Sequence, residues 1–73
     1  MYKIIEKSLS NNRRYTIGKT ELKLNIGDKF KYTYKNKQTK CNESNIYKVL
    51  EIDFIKMVYI VELWELLSFY GKD

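Results

Sequence analysis

Residues 46–67 read IYKVLEIDFIKMVYIVELWELL, and no other part of the chain can supply the centre of a core. Most of the Val, Ile and Leu lies here, with the single tryptophan, Trp64. Asp53 and Lys56 divide the block. Ile46–Ile52 and Met57–Leu63 then read as two strands that are apolar on both faces for much of their length, as central or barrel strands are. Asp53–Lys56 is the turn between them, although Phe54 and Ile55 make it apolar for a turn. Beyond it, Leu63, Leu66, Leu67 and Tyr70 recur at i, i+3, i+4 and i+7, with Glu62 and Glu65 opposite. That spacing fits a short closing helix stopped by Gly71, with helix or strand both open for residues 64–70.

Working outward, residues 29–35 (KFKYTYK) give the cleanest alternation in the chain. Phe30, Tyr32 and Tyr34 fall on one face and Lys29, Lys31, Thr33 and Lys35 on the other. Aromatic residues at period two make a strand and cannot make a helical stripe. Leu22, Leu24 and Ile26 alternate with polar neighbours and predict another strand, broken by Gly27-Asp28. Arg14–Ile17 is a short strand candidate, with Gly18-Lys19 as a hairpin turn after it. Met1–Leu9 fits both periodicities, and a strand is preferred because it keeps the sheet continuous. Ser8–Arg14 reads as a polar loop, and Asn36–Asn45, whose sole apolar residue is Cys41, as a long solvated one.

These elements predict an all-β or β-rich α+β fold in one domain over residues 1–73. Five or six short strands cannot make a two-layer sandwich at this size, so a strongly bent sheet or small barrel is the economical form. The order of the Leu22-x-Leu24-x-Ile26-Gly27-Asp28 lead-in, an alternating strand, a polar loop and two apolar strands resembles an SH3-like barrel. That is a likeness of fold alone. A chain this short buries only about 60% of its unfolded surface, so its stability is small. No intrachain disulfide supplements it, since Cys41 is the only cysteine.

The residue inventory argues against catalysis. There is no histidine, which removes the usual general base, the usual metal ligand and any His-activated nucleophile. Gly18, Gly27 and Gly71 are too far apart for a phosphate-cradling loop. No enzyme activity, cofactor, metal or small-molecule substrate is expected. The longest purely apolar run, Met57–Val61, is far below the roughly 20 residues that span a bilayer. Lys3, Glu6 and Lys7 interrupt what would be a signal peptide's apolar segment. No membrane role is expected, and with one unpaired thiol the expected location is cytoplasmic.

Charge is the remaining signal. The chain carries a net +5. Residues 1–40 hold eleven Lys/Arg against three acids, a net +8, while residues 41–73 hold three against six, a net −3. An uneven distribution of this kind points to an electropositive face and an acidic partner. Arg13, Arg14, Lys29, Lys31, Lys35, Lys37 and Lys40 are the candidate cations, with Tyr15 as the exposed aromatic among them. Two readings follow. In the first, the basic face contacts nucleic acid through phosphate with little sequence readout. In the second, the chain is a protein-binding inhibitor or accessory factor of phage or mobile-element type, antagonising a host nucleic-acid-handling or defence complex such as CRISPR. Seven tyrosines and Trp64 suit an interface, and Trp64 and Tyr70 are candidates for a second one. Lysine outnumbers arginine twelve to two, which favours simple phosphate attraction over bidentate base recognition. Oligomeric state is not readable from the sequence.

Overall fold

A computed structural model of the chain describes residues 1–35, 40 and 42–67. Within them lie five strands: β1 (Tyr2–Lys7), β2 (Arg14–Thr20), β3 (Lys29–Lys35), β4 (Asn42–Asp53) and β5 (Val58–Leu66). They form one sheet in the order β2-β1-β5-β4-β3. β1 and β5 run parallel, and every other neighbouring pair is antiparallel. The sheet curls into a half-barrel, and no helix occurs among the described residues.

Alternation along each strand sorts side chains onto two faces. The inner face carries the core: Ile4 from β1, Phe30 from β3, Tyr47 and Val49 from β4, and Tyr59 and Val61 from β5, all buried. Their register is consistent, since Ile4 lies opposite Tyr59 and Phe30 opposite Tyr47. Aromatic rings fill much of the volume. Tyr2 stacks on Tyr59 with ring centroids 4.4 Å apart, and Phe30 tilts against Tyr47 at 6.0 Å. Such pairs add to the area term that dominates a small core.

The free edges of β2 and β3 meet through a side chain. The Tyr32 hydroxyl, from β3, accepts from the Lys19 backbone N–H at 3.2 Å and donates to the Lys19 carbonyl at 3.3 Å. This approach requires Gly18, because a Cβ there would collide with the Tyr32 hydroxyl. Residues 21–28 cross the end of the sheet where β1 and β5 begin. Leu24 packs against the core there, and the Tyr59 hydroxyl accepts from the Leu24 N–H and donates to the Leu22 carbonyl. Gly27 follows at φ 91°, in a turn closed by Asp28 N–H to Asn25 carbonyl, and its own N–H bonds the Val49 carbonyl.

Several expectations need correction. Gly18-Lys19 is no turn: β2 runs through it to Thr20, and the glycine serves the close approach of Tyr32. Residues 22–26 are not a strand, because their backbone bonds run to a tyrosine hydroxyl and a turn and not to a ladder. β4 begins at Asn42, so residues 42–45 belong to the sheet and not to the preceding loop. β5 continues through Trp64 to Leu66, which rules out a helix over those positions. The Leu63/Leu66 spacing mimics a helical face because a bulge shifts the alternation: Leu63 pairs with Tyr47 and Glu65 with Ile46, leaving Trp64 as the extra residue. Lys37, Cys41, Tyr70 and Gly71 lie outside the described residues. No described helix is long and apolar enough to cross a membrane.

Candidate nucleic-acid interface

The outer face is free of the packing demands that fix the inner one, and its charges fall into a pattern. In β3, Lys29, Lys31, Thr33 and Lys35 point outward and are exposed. Lys29 lies directly opposite Lys48 of β4, and Lys48 opposite Glu62 of β5. On the other side of the sheet Arg14 of β2 lies opposite Lys7 of β1. Glu6 is registered with Val61, so the residues that follow them, Lys7 and Glu62, are neighbours too. One outward row therefore crosses all five strands: Arg14, Lys7, Glu62, Lys48, Lys29. Lys31 stands two residues further along β3.

Like charges set directly opposite each other on adjacent strands repel. At Lys29 and Lys48 that repulsion is offset by an aromatic ring. The bulge that inserts Trp64 turns its indole outward, with the Lys29 Nζ 4.0 Å and the Lys48 Nζ 5.0 Å from the ring centroid. Each contact is worth about 0.5–1 kcal/mol at an exposed site. The indole remains 49% exposed, so π surface is left for a further partner. Protein-family models, curated proteins and solved structures were all searched, and none matches the chain. The SH3 likeness thus extends no further than a small curled sheet, and the site is defined by its own geometry.

The candidate residues do not form one cluster. Lys29 sits over the Trp64 ring with Lys31 two residues along β3, while Arg14 lies at the far end of the row, on β2. Arg13, Arg14 and Tyr15 are exposed at the start of β2, the opposite edge from β3. The turn before them is well built: the Arg13 carbonyl accepts from Ser8 N–H at 2.8 Å, and Arg13 N–H donates to Asn11 Oδ1 at 2.9 Å. Tyr15 alternates to the inner side, opposite Glu6, so it is not part of the cationic row. Lys35 closes β3, opposite Asn42, and Lys40 is exposed with φ 60°. Trp64, assigned by its sequence position to a separate acidic half, in fact sits on the lysine face. Lys7 and Lys48 were missed. Lys48 is the one charge within the apolar run Ile46–Leu50, which marks that strand's outward side.

Behind the row, the inner face ends in a polar cluster. Glu43 and Asn45 of β4 are buried, yet Tyr34 donates its hydroxyl hydrogen to Glu43 Oε1 at 3.0 Å, and Asn45 Nδ2 donates to the Tyr47 hydroxyl at 3.2 Å. Asn45 Oδ1 also accepts from Leu67 N–H at 3.3 Å. Burial, then the bond to Glu43 and the surrounding negative charge, hold the Tyr34 phenol protonated far above its usual range. Burial likewise raises Tyr47 and lifts the Glu6 carboxyl above the ordinary glutamate range. No described buried side-chain polar atom lacks a partner. These groups act as a scaffold: satisfied polar networks fix a unique arrangement. Among the described residues no three His, Cys, Asp or Glu side chains gather as metal ligands.

Proposed function

We propose that the outer face binds single-stranded nucleic acid, with phosphates along Arg14, Lys7, Lys48, Lys29 and Lys31 and a base stacked on Trp64. The observation that carries this reading is the half-exposed indole held by two ammonium groups that would otherwise repel each other. Barrel-like sheets bind single strands by this combination of a cationic track and stacking rings. An acidic protein surface could meet the same lysines, but the exposed ring beside them favours a partner with π faces. Sequence preference is expected to be slight, because lysines on phosphate do not read bases. A cytoplasmic location accords with this partner and with an unpaired thiol.

Trp64 is the only tryptophan, so its fluorescence reports the site without a label. Titration with a homopolymeric single strand should quench it. The affinity should fall with a log–log salt slope of about −3.5, from five phosphate contacts at about 0.7 each. Trp64→Ala should weaken binding roughly 5- to 100-fold, the equivalent of one stacked base. If low-salt titration produces neither quenching nor binding, the proposal fails.

A further inference from the structure

The same outer face carries a second feature beside the cationic row. A hollow of about 500 Å³ opens between the sheet and the β4–β5 turn. Its floor is apolar, made by Ile5 of β1 with Val58 and Ile60 of β5. Its lip is the turn itself, where Phe54 is 72% and Ile55 95% exposed. The backbone that carries them is tied down. Asp53 Oδ1 accepts from the backbone N–H of Ile55 at 3.1 Å and of Lys56 at 2.9 Å, and the Met57 carbonyl accepts from Lys3 N–H at 2.9 Å. The turn therefore presents two large apolar side chains on a fixed support, outside the hollow they border. An exposed pair of this kind, rimmed by charge, marks a contact surface.

We infer that this surface pairs with a second copy of the chain across a two-fold axis, the Phe54-Ile55 lip of each copy seated in the hollow of the other. Two properties of the patch select this occupant. Knob and hollow lie side by side, so the patch is complementary to itself, as an isologous contact requires. The charges lining the hollow are Arg14 and Lys56 against Glu51 and Asp53, two of each sign on a chain of net +5. A nucleic acid would be repelled by both acids, and a uniformly acidic protein would leave them unpaired. A second copy can set each cation against an acid. The pairing does not rest on the nucleic-acid reading, and the two surfaces share only Arg14. If both hold, each dimer offers two cationic rows, which raises avidity for a long strand without a new contact.

The test is sedimentation of the full chain over a range of concentrations, without nucleic acid. The parent should rise from 8.9 kDa toward twice that mass. Ile55→Asp should remove the association and melt like the parent at concentrations where the parent is monomeric, since the side chain is almost wholly in solvent. Glu51→Lys leaves three cations and one acid around the hollow, and Lys56→Glu the reverse. Each alone should associate at least 10-fold more weakly than the parent, and an equimolar mixture of the two should recover a mixed dimer within about 3-fold of parental affinity. A parent that stays monomeric throughout, including one whose hollow takes some other protein, would overturn the inference. So would a dimer indifferent to Ile55→Asp, or a mixture that fails to re-associate.

Discussion

The strip of outer face that carries Arg14, Lys7, Lys48 and Lys29 lies one step along the strands from the strip that carries Ile5 and Ile60. Both lie on one face of the sheet and share β1, β4 and β5. Their chemistry is opposite. The first is a row of cations interrupted by one acid and sided by an indole, and the second is an apolar floor under an apolar lip. On the inner face the choice of residue is forced, because Ile4, Val49 and Val61 have no access to water. On the outer face nothing in the fold forces it. A division maintained where packing is silent is therefore better evidence of use than any single lysine, and Arg14, which belongs to the row and also lines the hollow, marks the boundary.

Breaking one strip should spare the other. The largest effect is expected from Lys29→Glu with Lys48→Glu, which reverses the row around Trp64. Single-strand affinity at low salt should drop at least about 100-fold, while concentration-dependent sedimentation stays parental. If both properties fell together, the strips would not be separable. Next in size is Gly18→Ala, which forces Tyr32 off Lys19. Overpacking of this kind costs about 1–3 kcal/mol, seen as a melting point lower by at least about 4 °C. Because both strips depend on the curl, both binding activities should weaken together near that temperature.

Smaller changes sharpen the contrast. Glu62→Gln removes the one acid from the row and should tighten binding about 2- to 5-fold at low salt, a gain that fades as salt screens exposed charge. Unchanged affinity would mean that phosphates do not pass this point. The smallest effect is at Glu6, which sits on the inner face between Ile5 and Lys7 and so underlies both strips. Its carboxyl is raised by burial, so the folded state holds its proton more tightly than the unfolded chain. Stability from this group is present at low pH and is lost as pH rises from the ordinary glutamate pKa through the folded one. Glu6→Gln should therefore melt higher than the parent at pH 7 and no higher near pH 4. A difference that persists at pH 4 would show that the carboxylate's charge is not the cause.

Much of the scaffold was legible because hydrophobic period and burial coincide there. β3 follows from KFKYTYK alone, and the centres of β4 and β5 from the 46–67 block. What escaped did so for physical reasons. Asn42–Asn45 looked like a loop because its residues are polar, yet Glu43 and Asn45 point inward and are satisfied by tyrosine hydroxyls, a pairing that no apolar pattern can signal. Gly18 looked like a turn because its reason for being glycine sits on the opposite edge strand. Trp64–Leu66 looked helical because one bulge moved the alternation out of phase. In the site, β3's own lysines were readable, but Lys7 and Lys48 were not, and neither was the contact between Trp64 and Lys29. All three depend on cross-strand register, which is fixed only when the sheet closes.

Tyr32 has a consequence of another kind. A sheet's border strands expose unpaired N–H and C=O groups that can template growth by a foreign strand, and short proteins guard them with charge, bulges or cover. Here the two borders converge, and a phenolic oxygen takes up both the donor and the acceptor of Lys19. That hydroxyl occupies the two Lys19 groups that an added strand would need there. A phenylalanine in its place would keep the ring and unlock that border.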